Sequence, residues 1–349
     1  MTEGPRSRYT HAFRRAMIRP LLAALVLLQA APAALPAGDA AATALEKTVR
    51  GRLDALDAQS TLYAKHIESG REIAVRADEP VNTVSVIKLP VMVLAYRDAD
   101  AGRLGLDERH VIAPEEMRRG TGILQSFAVG LNPTWRDLVT QMIITSDNTA
   151  TDILIARLGR ERVNQMLDAL GYKETRLRMT IGQLFRGVWE QTDPKNASLS
   201  DREVFERGFP DDAAAPSRYL AYVADPMKWF GRTTAREISR MLEQLQKGEL
   251  AGPASTEEMI RILKRQLYFS RLPQRIRFRA SVAHKTGDWP PIIGNDVGIL
   301  YSDAGPIVVS VFTNQNRGSF FDLEAAIGKV AEEILDAWGA KPAPRRVDE

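Results

Sequence analysis

Three short polar clusters in this 349-residue chain hold the residue types that acyl transfer needs. The first is Ser85-Val86-Ile87-Lys88, at the head of the apolar run Leu89–Tyr96. Residues three apart share one face of a helix, so an amine sits beside a hydroxyl. A partly buried lysine has a lowered pKa and can take the hydroxyl proton. The unpaired N–H groups of a helix start suit a developing oxyanion. Taken alone, this serine reads more simply as an N-cap beside an unrelated lysine, yet no other S-x-x-K occurs in the chain. The second cluster is Ser146-Asp147-Asn148, between helical stretches at 135–144 and 149–158. It too reads as a helix cap; as chemistry, the Ser146 hydroxyl relays a proton to a leaving amine and the Asn148 amide faces a cleft. The third is His284-Lys285-Thr286-Gly287, on a late strand. Its lysine and threonine suit a substrate carboxylate, and the backbone after Gly287, at Asp288, suits an oxyanion. Alone, it is an ordinary strand end.

Other chemistries lack an anchor. With no cysteine, thiol catalysis, cysteine-ligated zinc and iron–sulfur clusters are excluded. His11, His66, His110 and His284 have no metal-ligand spacing, so neither a metal nor a cofactor is expected. No G-x-S-x-G, Walker loop or G-x-G-x-x-G is present. The formal charge of +3 comes from Arg6, Arg8, Arg14, Arg15 and Arg19 against Glu3 alone, so the remainder carries no basic footprint for nucleic acid. Those arginines lead into the apolar run Leu21–Leu28 and then small residues, with Ala31-Pro32-Ala33 and Leu35-Pro36-Ala37 as cleavage candidates. That is the order of a secretory signal peptide. The run is too short for a bilayer, which takes about 20 residues. The expectation is a signal peptide over 1–37, export to the periplasm or the medium, and one catalytic domain over 38–349.

The elements that must position the three clusters follow from periodicity. Leu45, Val49, Leu53 and Leu56 mark an opening helix. Thr61–Ile67 and Glu72–Arg76 read as strands around a Ser69-Gly70 turn. Helical spacing covers Trp135–Ile144, Thr149–Leu158, Glu161–Leu170, Ala235–Leu245 and Thr256–Arg265. Ser281–Lys285, Asp296–Tyr301 and Ile307–Thr313 read as strands, and Leu323, Ile327, Val330, Ile334 and Trp338 as one face of a last helix. Strands from both ends can share one antiparallel sheet only if the chain returns on itself. A helical lobe of roughly 85–265 then faces the sheet across a cleft, a favoured place for a ligand. The stretch 185–227, with Pro194, Pro210, Pro216 and Pro226, reads as a long loop.

S-x-x-K, S-D-N and K-T-G in this order resemble the signature of class A β-lactamases and penicillin-binding proteins. The resemblance to the class A β-lactamase family extends to Thr233-Thr234 before a helix, Leu272-Pro273 before the K-T-G strand and Gly294-Asn295-Asp296 after it. It spans about Ala41 to Trp338. It implies an α/β sandwich, with a five-stranded antiparallel sheet flanked by helices plus an all-helical lobe. It also implies that Ser85 attacks a β-lactam carbonyl and carries the acyl group, while Lys88 accepts its proton or forms part of the relay that does. Ser146 would protonate the leaving nitrogen with Lys285 in support, and Asn148 would bind the side-chain amide. Thr286 and Gly287 would contact substrate, and the backbone N–H groups of Ser85 and Asp288 would form the oxyanion hole. The implied substrate is a small β-lactam or a D-Ala-D-Ala-like peptide, and the implied enzyme is a monomer without cofactor.

Two departures accompany the resemblance. The family's deacylating glutamate aligns with Ile181, which cannot act as a base. Glu190, in Trp189-Glu190, is the expected replacement, reached through the longer loop. The arginine that anchors a substrate carboxylate in many members is missing from the strand Val297–Leu300, which leaves Arg271 as the nearest candidate. Three functions stay open: a β-lactamase, a penicillin-binding D,D-carboxypeptidase or transpeptidase-like enzyme with slow deacylation, and a non-catalytic cell-wall or drug sensor.

Overall fold

The computed structural model describes Met1, residues 37–128 and residues 130–339. The expected signal segment lies, Met1 and Ala37 apart, outside the described residues. Helix α1 (Ala37–Asp54) buries Leu45, Val49 and Leu53, spaced four apart as one helix face requires. Strands β1 (Gln59–His66) and β2 (Glu72–Val75) form a hairpin whose turn passes through Gly70 at φ +72°, a conformation open to glycine. Strand β3 (Val81–Asn82) leads through a 3-10 turn, Val84–Ile87, into α2 (Lys88–Asp100). Every residue from Lys88 to Tyr96 is buried, so α2 is apolar nearly all round and forms the axis of the helical lobe. Against it pack α3 (Trp135–Ile144), α4 (Asn148–Leu158) and α5 (Arg160–Ala169).

The chain continues through β4 (Arg176–Leu177), α6 (Ile181–Glu190), α7 (Asp201–Arg207) and α8 (Ala215–Ala224). Strand β5 (Gly231–Thr233), α9 (Ala235–Gln246) and α10 (Pro253–Leu263) follow. The last elements are β6 (Ser281–Trp289), β7 (Ile293–Ser302), β8 (Gly305–Asn314) and α11 (Phe320–Ala337). Among the described residues, five strands form one antiparallel sheet in the order β2-β1-β8-β7-β6, and β3, β5 and β4 form a small second sheet. Leu62 of β1 lies opposite Val311 of β8, so strands from the two ends of the domain meet in the middle of the sheet. Side chains alternate across it with the period of two that a strand imposes. Val309 and Val311 join α1 and α11 in one apolar layer, while Val308 and Phe312 join the layer shared with the helical lobe.

Two expectations are corrected. Helix α9 does not belong to the helical lobe: it lies across β1 and β8, where Ser239 Oγ donates to Ser310 Oγ at 2.7 Å. Its apolar face, Ile238, Met241, Leu242 and Leu245, needs the sheet to be covered. The stretch 185–227 is not a long loop, since it holds the end of α6 and all of α7 and α8. Ser200 caps α7 by accepting the Glu203 N–H. Pro194, Pro216 and Pro226 sit in first helical turns, where a missing N–H costs nothing. No helix among the described residues is long and apolar enough to cross a membrane.

Candidate active site

Ser85 is the second residue of the 3-10 turn before α2, and residues three apart eclipse in such a turn. Ser85 and Lys88 therefore share a face, as expected. Val84, just before the serine, has φ +39°, a strained conformation for a β-branched residue. The turn is held from both sides. Val84 N–H donates to Asn82 Oδ1 at 3.1 Å, and Asn82 N–H donates to Asn314 Oδ1 at 2.8 Å. Asn295 Nδ2 donates to Asn82 O at 3.0 Å, while its Oδ1 accepts from Asn314 Nδ2 at 3.1 Å and Thr313 N–H at 3.0 Å. Three buried asparagines from β3, β7 and β8 thus tie the nucleophile turn to the sheet. Sequence reasoning missed Asn82 and Asn314. The available signal was asparagine within strand-like stretches, where it is depleted.

Ser146 also has a positive φ, +55°, at the bend between α3 and α4. Asp147 caps α4 by accepting Ala150 N–H at 2.9 Å and also accepts Leu124 N–H at 2.8 Å. The bend points Ser146 Oγ between two lysine side-chain nitrogens: Lys88 Nζ donates to it at 3.2 Å and Lys285 Nζ at 3.0 Å. Lys88 Nζ also donates to Ser146 O at 2.7 Å and to Asn148 Oδ1 at 2.9 Å. Lys285 Nζ donates to Thr286 O at 2.7 Å. All three sequence clusters therefore converge on one hydroxyl. Both lysines are fully buried. Burial, aided by the neighbouring Lys285 charge, pushes Lys88 well below its ordinary pKa. Burial lowers Lys285 to about 7, against the pull of the Asp288 and Asp296 carboxylates.

The strand β6 comes this close because residue 287 is glycine. A Cβ there would lie 2.5 Å from Thr83 O and 2.9 Å from Val84 Cγ2. The hydroxyl of buried Thr286 has no hydrogen-bond partner. Above these groups opens a cavity of about 530 Å³, lined by Ser85, Thr121, Asn148, Ile181 and Asp288 among others. Lys88, Ser146, Lys285 and Thr286 are buried and are not among the residues that line it. The two residues expected to supply oxyanion donors, Ser85 and Asp288, thus open on one space. Asn148 spends one of its two amide protons on Arg119 O, at 2.9 Å, and keeps its side chain on the cavity wall.

Two residues expected in the site do not offer it a free group. Glu190 is exposed at the last position of α6 and does not line the cavity, whereas Ile181, at the other end of the helix, does. Nine residues are about two and a half helical turns, so the two side chains leave opposite sides of α6. The helix start is fixed by the buried Asp152 carboxylate, which accepts Ile181 N–H at 2.7 Å and Gly182 N–H at 2.8 Å. Arg271 lines the cavity but is not free to hold a substrate carboxylate. It pairs with Asp288, donates to Asn295 O at 2.7 Å and lies 3.4 Å from Glu324. Asp288 and Glu324 are the carboxylates lining the cavity, and both face Arg271.

Known proteins show the same arrangement of chain. A β-lactamase from Streptomyces lavendulae is 23% identical over 89% of this chain and 94% of its own. A solved β-lactamase from Sphaerobacter thermophilus superposes with a TM-score of 0.68 at 24% identity, covering 87% of this chain and 98% of the other. The acyl-enzyme complex of a PBP-A variant with penicillin G superposes with a TM-score of 0.64 at 22% identity, covering 85% and 96%. The family model described as "Beta-lactamase enzyme family" matches residues 44–338, most of the chain that carries the sheet, the helical lobe and the converging clusters. The chain belongs to the beta-lactamase enzyme family.

Proposed function

We propose that this chain is a serine hydrolase that opens β-lactam rings through an acyl-enzyme on Ser85, and that hydrolysis of that acyl-enzyme is its slow step. The observation that carries the reading is the convergence of Lys285 and of Lys88, at the end of the turn that holds Ser85, on Ser146 Oγ. Ser85 Oγ attacks the lactam carbonyl carbon and passes its proton to Lys88, which burial keeps ready to be neutral. The carbonyl oxygen takes the negative charge against the N–H groups of Ser85 and Asp288. The carbon–nitrogen bond breaks, and the nitrogen takes the Ser146 proton, which a lysine ammonium replaces. Water then attacks the acyl carbon and releases Ser85. No carboxylate free of an arginine lines the cavity among the described residues, so this last step has no carboxylate base to activate the water. The N-terminal arginines and the apolar run support export, and a monomer suffices for every step.

The same observation favours a second reading, a penicillin-binding D,D-peptidase that β-lactams acylate durably. The likeness to PBP-A, solved as a penicillin G acyl-enzyme, supports it. Intact-mass spectrometry with penicillin G, sampled from seconds to hours beside Ser85→Ala, tests both. An adduct on the wild type alone is expected. Its decay with matching drug hydrolysis marks a β-lactamase, and its persistence marks the peptidase. An equal adduct on Ser85→Ala sinks the nucleophile assignment.

A further inference from the structure

Away from Ser85 the cavity turns aromatic. Helix α6 lends it Leu184 and Phe185, the end of β6 lends Trp289, and the segment around α8 lends Phe209 and Tyr219. The Phe185 and Phe209 rings meet edge to face at 4.9 Å, and those of Tyr219 and Trp289 lie 6.2 Å apart at 64°. This is a braced wall. Trp189 Nε1 donates to Gly208 O at 3.0 Å and the Tyr219 hydroxyl donates to Pro210 O, so the residue between, Phe209, is anchored on both sides. The Tyr222 hydroxyl donates to Leu184 O at 3.2 Å and pins α8 to α6. Across the cleft, Arg119 Nε donates to Phe205 O at 2.6 Å and ties α7 to the segment before the S-D-N bend.

The aromatic wall begins where the proposed amide contact ends. A Cβ at Gly120 would lie 2.7 Å from Asn148 Nδ2 and 3.3 Å from Phe185 Cζ, so the amide and the ring edge flank one point. A substrate held with its carbonyl on Ser85 and its side-chain amide at Asn148 continues into the aromatic part. Phe209 retains 39% of its surface exposed, contact area that a ligand would cover. The geometry points to an amide carrying an aromatic or long apolar acyl group as the substrate this chain selects, with Phe209 and Tyr219 as specificity-determining residues. The inference rests on the acyl-enzyme reading for the placement of the substrate. Enclosing a phenyl-sized apolar group is worth about tenfold or more in binding.

The test compares penicillin G with 6-acetamidopenicillanic acid, which keeps the ring, the carboxylate and the amide but lacks the phenyl group. Calorimetric titration of Ser85→Ala measures binding without chemistry. Penicillin G is expected to bind at least about tenfold tighter. Adding Phe209→Ala is expected to shrink that ratio to within about threefold, and Phe209→Leu, which keeps apolar bulk, to retain most of it. A ratio near one, a ratio that Phe209→Ala leaves intact, or no binding of either ligand at millimolar concentration overturns the inference. Intact masses of the wild type with both ligands separate it from the reading beneath. Equal adduct formation with both sinks the aromatic subsite and keeps the nucleophile. Selective binding to Ser85→Ala with no adduct on the wild type does the reverse.

Discussion

Two lysines point at the Ser146 hydroxyl, and burial makes it costly for both to be charged. A proton acceptor at Lys88 must be neutral, so acylation rises with pH as Lys88 loses its proton. A supporting charge at Lys285 must be present, so acylation falls as Lys285 loses its proton above about 7. The expected profile is a bell whose upper limb lies near neutrality, read from the pH dependence of adduct formation with penicillin G. Lys285→Arg, whose guanidinium does not titrate there, is expected to remove the upper limb. A wild-type rate that is flat from pH 6 to about 9 contradicts this assignment. Ser85, Lys88, Ser146 and Lys285 were readable because each motif is local: a spacing of three, a bend, and a short run on one strand, which continues to Trp289 rather than ending at Lys285. The asparagines at 82, 295 and 314 act together across 213 and 232 positions, and no local pattern announces that.

Helix α6 decides what faces the acyl group. Its apolar face, with Ile181, Leu184, Phe185 and Val188, turns inward and carries Glu190 out to solvent. Ile181→Glu would put a carboxylate on the cavity wall, so the penicillin G adduct is expected to decay at least about tenfold faster, as general-base assistance typically gives. Glu190→Gln is expected to leave that lifetime unchanged, and a clear lengthening would restore Glu190 to the mechanism. The helix start depends on Asp152, which serves two backbone N–H groups and Arg118 at 2.7 Å. Asp152→Ala strands the two N–H donors at the helix start, while Arg118 keeps its Asp201 partner, and is expected to cost at least about 2 kcal/mol in denaturant unfolding. The helices of 201–224 were hidden in the sequence by their prolines, which read as breakers. Whether a proline breaks a helix or starts one depends on its position, and here three of the four stand at starts. The misplaced Glu190 has the same root, because a stretch read as loop carries no face.

The sheet separates two apolar layers, a division that the sequence carried only through the family resemblance, since strands buried on both faces show no alternation. Ile334 of α11 lies in the layer away from the cleft. Ile334→Ala is expected to lower stability by about 2–5 kcal/mol, while the folded fraction acylates at the wild-type rate. A slowed acylation rate per folded molecule would show that this layer reaches the site. What the sequence hid was the attachment of α9 to the sheet, since an amphipathic helix declares its apolar face but not its partner.

Gly287 has a further consequence. The nine-residue strand β6 is one edge of the sheet, and the other edge, β2, has only four residues. A long open edge is a template for self-association. Here the turn carrying the nucleophile lies against it, within 2.5 Å of where a Cβ of residue 287 would stand. The catalytic turn therefore also braces, from one face, the strand that forms the sheet's most adhesive margin. Gly287→Ala would force the two apart, and light scattering of that variant should show oligomers growing with concentration.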